Sequence, residues 1–194
     1  MKKHDNKSVL KSISIVILFL VVFLIIIAII NKVDEYNRKS YKLDTKFKTN
    51  DIVQINNRLP VSDTIGKSYP GTGVEKGIIE YKEFTISNPN PKEVKYEIYL
   101  TKMTTSLKDL RSSYIKLYLT DENDNPVDGF NKKKIPSFYD LLSLNDKPSG
   151  RLLYKGSLKS SGSETFILRS WVSDTYMLSG DEEGFSFDID VRIK

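Results

Sequence analysis

Residues 185–193 read FSFDIDVRI and alternate between apolar and polar side chains without interruption. Every odd position from Phe185 to Ile193 is apolar, and every even position from Ser186 to Arg192 is polar. Successive side chains of a β-strand point to opposite faces, so this stretch has one dry face and one wet face. Antiparallel sheets commonly have such faces, whereas parallel sheets are buried on both sides. The stretch therefore predicts a strand of an antiparallel sheet.

The same period of two recurs upstream and predicts the fold class. It is clear in VKYEIYLT (94–101) and YIKLYLT (114–120). Weaker alternation predicts four more strands, at 51–56, 78–87, 151–158 and 164–172. Pieces rich in Gly, Pro, Asn and Ser separate them, namely NPNP (88–91), DENDNPVDG (121–129) and SSGS (160–163). We therefore predict an all-β, antiparallel, immunoglobulin-like β-sandwich of about seven strands. The only helix predicted in this region is SFYDLLSL (137–144), with Ser137 as its cap and Asp140 three positions on, which is close to a capping box.

An apolar run, SISIVILFLVVFLIIIAIIN, occupies residues 12–31 and contains no charge. Eighteen helical residues span about 27 Å, close to the hydrocarbon thickness of a bilayer. A secretory signal has a shorter apolar region and a small-x-small cleavage site, whereas here isoleucines follow the lone Ala28. The run predicts an uncleaved transmembrane anchor, and a signal with an unusual cleavage site is the alternative. Its predicted lipid-facing residues include Ile13, Phe19, Phe23 and Ile30.

These boundaries divide the chain into four predicted parts. They are a cytoplasmic basic tail (1–11), the transmembrane helix (12–31), a polar stalk (32–50) and an extracellular β-sandwich (51–194). Basic residues flank both ends of the run, but they are denser before it, and long C-terminal domains cross membranes largely regardless of charge. We therefore expect a cell-membrane protein with a cytoplasmic N-terminus and an extracellular domain. A cytoplasmic domain is the alternative orientation.

Composition excludes several classes of chemistry. The first 50 residues carry ten Lys or Arg and four Asp or Glu, so the remaining 144 residues carry 20 and 21 and are close to neutral. A nucleic-acid partner, which needs a basic domain face, is therefore not expected. The chain has no cysteine, and its one histidine, His4, precedes the apolar run. Disulfides, thiolate nucleophiles and histidine-based sites in the domain are excluded, and we predict no cofactor.

Two acidic patterns suggest chemistry only weakly. Asp188 and Asp190 share one strand face about 6.6 Å apart, within the range of glycosidase carboxylates. Arg192 continues that row, so an ion-paired, solvated face is the favoured interpretation.

The second pattern, DENDNP (121–126), begins like a calcium-binding loop. Pro126 stands where an EF-hand needs glycine, and Lys132 stands where it needs glutamate, so the match fails. A looser calcium site that uses Asp121, Asp124 and Asp128 stays open, and a polar hairpin tip is the favoured interpretation.

The segment FILRSWVSD (166–174) predicts a central strand with a second partly apolar face. Ile167, Arg169 and Trp171 lie on that face, and either a loop of the same chain or a neighbouring subunit has to cover it. Arginine and tryptophan are enriched at interface hot spots, so these residues are candidates for an interaction surface. The other candidates are three tyrosines on polar strand faces, which form either a ligand platform or cross-strand pairs: Tyr99, Tyr114 and Tyr118.

The stretch FTISNPNPKEVKYEIYL (84–100), a strand that ends in Asn, a turn and an alternating strand, carries a resemblance. Together with the anchor, it resembles the β-sandwich modules of camelysin-type and biofilm-fibre surface proteins of low-GC Gram-positive bacteria. The similarity covers roughly residues 75–193 and implies a sandwich fold and a surface location. Those proteins are released by signal peptidase, so fibre assembly is not carried over.

The leading hypothesis is a non-enzymatic, single-pass cell-surface protein. The lipid bilayer would be contacted through residues 12–31, and the sandwich would bind a protein partner or a copy of itself. Strand addition at a sheet edge is the expected mode, with residues 51–56 as the strand that exchanges. The alternatives are an accessory subunit of an envelope secretion or conjugation machine, and an envelope hydrolase that uses carboxylates.

Overall fold

The structure is a computed structural model of the 194-residue chain. It describes residues 6–39, 41–56, 59–70, 78–104, 108–131, 133–144, 149–178 and 183–194. The chain forms two compact units, with the boundary between Tyr41 and Lys42. The first is a helical unit and the second is a β-sandwich.

Helix α1 extends from Asn6 to Lys39 and contains the whole predicted transmembrane run. The segment Ile15–Tyr36 is long and apolar enough to cross a membrane, and none of its apolar window is buried within the chain. Residues Ile13, Phe19, Phe23 and Ile30 are between 52% and 72% exposed. Membrane anchors and N-terminal signal sequences both have this character. Residues 1–5 of the predicted basic tail lie outside the described residues, and residues 6–11 already belong to α1.

The described part of the second unit forms eleven strands, more than the seven predicted. All seven predicted strands are present, and the four additional strands are short. The strands are β1 (Asp44–Phe47), β2 (Ile52–Ile55), β3 (Pro60–Val61), β4 (Glu80–Ser87), β5 (Val94–Met103), β6 (Lys108–Asp109), β7 (Ile115–Asp121), β8 (Leu142–Ser143), β9 (Gly150–Leu158), β10 (Ser163–Ser173) and β11 (Glu183–Ile193). The remaining elements are helix α2 (Asp63–Ser68) and two 3-10 turns, Ser112–Tyr114 and Phe138–Asp140. The helix predicted at 137–144 is reduced to this second turn, because Leu142–Ser143 pair with β9 instead, and Ser137 and Asp140 form a capping box there. Helix α2 was not predicted.

The strands form two sheets, which confirms the predicted β-sandwich. Sheet A has the order β1-β4-β10-β3, with β7 also paired to β10. Sheet B has the order β2-β11-β5-β9-β8, with β6 also paired to β11. Pairing is antiparallel except for the two-residue contacts of β3 with β10 and of β6 with β11. The finer immunoglobulin-like description stays a prediction.

The sandwich begins earlier than the sequence indicated. Strand β1 lies inside the predicted polar stalk, where Asp44 pairs with Ser87 and Phe47 pairs with Phe84 at the edge of sheet A. Helix α1 also continues to Lys39, so helix and strand occupy much of the predicted stalk. The alternation of only four residues, two of them charged, gave too little signal to predict a strand.

The core lies between the apolar faces of the two sheets. The predicted dry face of β11 is inside, since Phe185 and Phe187 are 0% exposed and Ile189 is 3% exposed. These residues belong to one buried cluster with Phe84, Ile86 and Phe166 of sheet A. The ring of Phe138 lies 5.0 Å from that of Phe185 and closes the cluster from the second 3-10 turn. The predicted inner face of residues 185–193 is therefore confirmed. The predicted wet face is half-buried at Asp188, Asp190 and Arg192, and it is buried at Ser186, whose hydroxyl donates to the carbonyl of Val53.

A second, smaller cluster lies on the outer face of sheet A. It is formed by Val61, Ile79, Ile135 and Trp171. Helix α2 covers the tryptophan through Gly66, where a β-carbon would lie 2.4 Å from Cδ2 of the Trp171 ring. Real β-carbons do not approach that closely, so only glycine permits this contact. The helix itself is started by Ser62, whose side chain accepts a hydrogen bond from the amide of Ile65.

We predict that Gly66→Ala lowers the free energy of unfolding by about 1–3 kcal/mol, because overpacking of a filled site forces neighbours to move. Urea unfolding of the full chain in detergent micelles measures the free energy of unfolding. The fluorescence of Trp171, the single tryptophan, reports directly on the packing of α2 against its ring. Thr64→Ala, at an exposed position of the same helix, is the control and should change stability by less than about 0.5 kcal/mol. Equal stability of the two variants would show that α2 does not pack on the ring.

Candidate functional site

The predicted interaction surface on β10 is covered by the chain itself. Ile167, Arg169 and Trp171 are 7%, 2% and 0% exposed. Trp171 lies under α2 and its cluster, so a loop of the same chain supplies the cover that the sequence required, and no neighbouring subunit is needed for it. In this arrangement, Ile167, Arg169 and Trp171 are buried residues that stabilise the fold, and they are not exposed to a partner.

Arg169 is the polar centre of this covered face. Its guanidinium donates to the backbone carbonyl of Tyr69, to the Thr120 hydroxyl at 3.1 Å and to the carboxylate of Asp124. It also lies 5.5 Å from the ring centre of Tyr81. A guanidinium stays charged when buried, so each of its donors needs an acceptor. Arg169 thereby joins the loop after α2 to the hairpin that carries Asp124.

The three predicted tyrosines do not form one exposed platform. Tyr114 and Tyr118 are half-buried and pack against the cores, and the Tyr114 ring lies 5.2 Å from that of Tyr176. Tyr99 is only 9% exposed and lies beneath the guanidinium of Arg192, 5.2 Å from the ring centre. Packing accounts for all three.

Of the two aspartates that share a face of β11, Asp190 is ion-paired and Asp188 bonds to a backbone amide. The carboxylate of Asp188 accepts from the amide of Thr101 at 3.1 Å. The carboxylate of Asp190 lies 2.5 Å from Nη2 of Arg192.

The acidic hairpin tip at residues 121–125 is held by its own hydrogen bonds. The Asp121 carboxylate accepts from the backbone amides of Asn123 and Asn125, each at 2.9 Å, while Asp124 turns to Arg169. Hydrogen bonds from the Asn125 side chain and then from these backbone amides hold the pKa of Asp121 below its usual value. Among the residues that the structure describes, no group of three or more His, Cys, Asp or Glu side chains is placed to hold a metal ion.

A carboxylate hydrolase would need two converging acidic groups, one with a raised pKa. Burial raises the pKa of Glu80, but its electrostatic neighbour is Lys82, which acts in the opposite direction. Glu80 therefore has a basic neighbour and not the second carboxylate that a hydrolase of this kind would need, and structural ion pairs have the same arrangement.

An open edge of sheet B is the feature that the sequence did not reveal. Strand β9 pairs with β5 from Leu158 to Gly150. On its other side, β8 pairs only with Leu152 and Arg151. Among the described residues, none pairs with the outer edge of residues 153–158. Unpaired strand edges present backbone donors and acceptors to any chain that can add a strand.

A cavity of about 490 Å³ opens beside this edge. The rings of Tyr96 and Tyr154 form one wall, with centres 6.3 Å apart. Gly156 lies opposite Tyr96, and a β-carbon there would be 2.5 Å from the ring atom Cζ. The Tyr96 hydroxyl donates to the Glu164 carboxylate at 2.7 Å, which fixes the ring across the two sheets. Burial is the main cause of a raised Tyr96 pKa, so this hydroxyl stays protonated.

The rim of the cavity is basic. Lys95, Lys155 and Lys194 line it, and the Glu97 carboxylate lies 2.9 Å from Nζ of Lys155 and 3.5 Å from Nζ of Lys194. Two of the three ammonium groups therefore pair with Glu97, and the cavity is also lined by the carboxylate of Glu164. A hydrogen bond from the Tyr99 hydroxyl, followed by that from Lys155, lowers the pKa of Glu97.

One residue of this site could have been recognised from the sequence. A glycine within a strand, such as Gly156 in RLLYKGSL, marks a bulge or the close approach of another group. Here the group is the Tyr96 ring. The edge position of β9, in contrast, depends on the order of strands in sheet B, and the sequence pattern of β9 alone does not predict that order.

Comparisons with known proteins give no family. No protein family model and no curated protein match the chain. Among solved structures, TmCBM61 in complex with β-1,4-galactotriose is similar with a TM-score of 0.22 and 6% identity, over 78% of this chain and 88% of that one. A likeness of that size identifies neither a relative nor a ligand. The fold and its helix define a β-sandwich protein with one N-terminal helix of membrane-spanning length and apolarity.

We predict that Asp124→Asn lowers the free energy of unfolding by about 1–2 kcal/mol, because it leaves the buried Arg169 without its carboxylate. Asp124 has a φ of 64°, a conformation that asparagine also tolerates, so the substitution removes the charge without backbone strain. Urea unfolding gives the value. Glu122→Gln removes the same charge from an exposed position of the same turn and should change stability by less than about 0.5 kcal/mol. If both variants unfold alike, Asp124 does not support the buried arginine.

We predict a pH-dependent stability contribution from Glu97. Because its folded-state pKa is lowered, the contribution is complete above the unfolded-state pKa of about 4.3 and is lost as the pH falls through the lower folded value. Glu97→Gln should therefore be less stable than the wild type at pH 7, and the difference in stability should shrink as the pH falls below the unfolded-state pKa of about 4.3. Denaturant titrations at several pH values measure it, with Glu93→Gln as the exposed control. A gap that stays constant with pH would rule out this role.

Proposed function

We propose that the chain is a single-pass, membrane-anchored cell-surface protein whose non-catalytic β-sandwich binds a protein partner. The observation that carries the proposal is the contrast between its two units. None of the apolar window of α1 is buried within the chain, whereas the sandwich has a complete core of its own. A helix of that apolarity needs lipid to cover it.

The extracellular location rests on the flanking charges. Lysines are dense in the first 11 residues, and a C-terminal domain of about 150 residues crosses a membrane largely regardless of its own charge. The N-terminus is therefore cytoplasmic, and the sandwich is outside the cell.

The non-catalytic assignment rests on how the acidic groups are used. The carboxylates of Asp188, Asp190, Asp121 and Glu97 each accept hydrogen bonds or pair with a basic side chain. They stabilise their own strands and turns, which supports a binding role for the sandwich over a carboxylate-based hydrolase.

We predict that a protease added to intact cells removes the sandwich and leaves a membrane-bound fragment that contains residues 1–30. Western blotting with a C-terminal tag follows the loss of the domain, and mass spectrometry of the membrane fraction measures the retained fragment. A cytoplasmic protein and cells opened by detergent serve as controls for integrity. Protection of the sandwich until the cells are opened would place it in the cytoplasm. Recovery of the sandwich from untreated cells without residues 1–30 would identify α1 as a cleaved signal.

A further inference from the structure

The backbone groups on the open edge of β9 can be assigned to definite residues. The amide of Lys194 donates to the carbonyl of Lys95 at 3.0 Å, so the backbone groups of Lys95 face β11. Those of its neighbour Tyr96 then face β9 and its partner Gly156. Backbone direction alternates along a strand, so Lys155 and Ser157 turn their amides and carbonyls outward. A strand laid along β9 would bond to these two residues.

The two sides of this edge differ in chemistry. Lys155 and Ser157 pair with Glu97 and Lys95, so their side chains lie on the outer face of sheet B, with the three lysines of the rim. Tyr154 and Gly156 alternate with them and lie on the inner side, beside the Tyr96 ring. An added strand with alternating side chains would place one set over lysines and the other set over aromatic rings.

We propose that the open edge of β9, residues 153–158, binds an extended segment of the partner in which acidic side chains alternate with apolar ones. This proposal deepens the proposed function and rests on it. The acidic set lies on the side of Lys95, Lys155 and Lys194, three lysines against the carboxylate of Glu97. The apolar set lies on the side of Tyr96 and Tyr154, where the Glu164 carboxylate is held by the Tyr96 hydroxyl. Backbone hydrogen bonds supply the affinity, and the alternating side chains supply the specificity.

A second copy of this chain fits the edge less well. Two β9 edges paired antiparallel across a two-fold axis would bring their own lysine rims together, and like charges across a strand pair are destabilising. A lysine on an edge strand is a usual guard against such self-pairing. Charge complementarity therefore favours an acidic segment over a second basic edge.

The test uses the full chain in nanodiscs of uncharged phosphatidylcholine and a fluorescent, capped hexapeptide of alternating Glu and Val. Fluorescence anisotropy should show saturable binding with a Kd on the order of 10⁻⁴ M, and raising NaCl from 50 to 300 mM should weaken it at least about threefold. The matched peptide of alternating Lys and Val should bind at least about tenfold more weakly. Hydrogen exchange should slow at the amides of Lys155 and Ser157 when the acidic peptide is bound.

Variants locate the contact. Ser157→Pro removes an outward N–H from an edge position and should weaken binding at least about tenfold, whereas Ser157→Ala keeps the N–H and should bind like the wild type. Lys95→Gln should weaken binding about threefold, and Lys46→Gln, an exposed lysine on β1, should leave it unchanged. Circular dichroism of each variant confirms that the sandwich is folded.

Three results would overturn the proposal. They are no binding at millimolar peptide, equal binding of the Lys-Val peptide, and a dimer of the unliganded chain that Ser157→Pro dissociates, which would assign the edge to a second copy. If the sandwich is protected from protease on intact cells, the proposed surface function is wrong, but peptide binding at the β9 edge can still be measured. If the sandwich is extracellular and the acidic peptide does not bind, only the assignment of the β9 edge is wrong.

Discussion

The central strand β10 imposes the constraint on which the rest of the sandwich depends. All its side chains from Phe166 to Ser173 are buried, so both of its faces have to be covered. Sheet B covers one face through the main core. The other face carries Arg169 and Trp171, and because sheet B already occupies the opposite side, the cover has to come from loops and α2. This requirement explains why α2 and the loops beside it pack against the outer face of sheet A.

The cost of that arrangement is a buried charge, and it explains details of two separate loops. The guanidinium of Arg169 needs acceptors, and it finds them in the loop after α2 and in the hairpin after β7. The Trp171 ring needs contact without collision, and Gly66 supplies it. The outer face of sheet A is thus closed by packing and by hydrogen bonds. In the described part of the chain, the charged outer side chains of sheet B are half-buried or exposed, and the outer edge of residues 153–158 in β9 is unpaired.

The sequence predicts those features that depend on period and composition. Alternation in residues 185–193 identifies the strand, its inner face and the sandwich class, and the two apolar faces of 164–172 identify a central strand, all of which the structure confirms. Two-residue strands such as β3 and β8 are too short to have a period, and β1 hides its alternation among charged residues. Neither the cover over Trp171 nor the edge position of β9 is predictable in this way, because both depend on which distant segments become neighbours.

The edge of β9 also raises the question of how an unpaired strand avoids random association. Two devices are visible: β8 closes the Leu152 end, and Lys155 places a charge on the remaining stretch. Gly156 and Tyr96 act differently. A glycine weakens a strand, and an aromatic ring laid across it restores the lost contact, so the ring could serve a structural purpose alone. That purpose does not require a third lysine, Lys95, at the rim of the cavity, since Lys155 and Lys194 already pair with Glu97. The excess positive charge lies where backbone amides face outward, and an acidic strand is the ligand that satisfies both features at once.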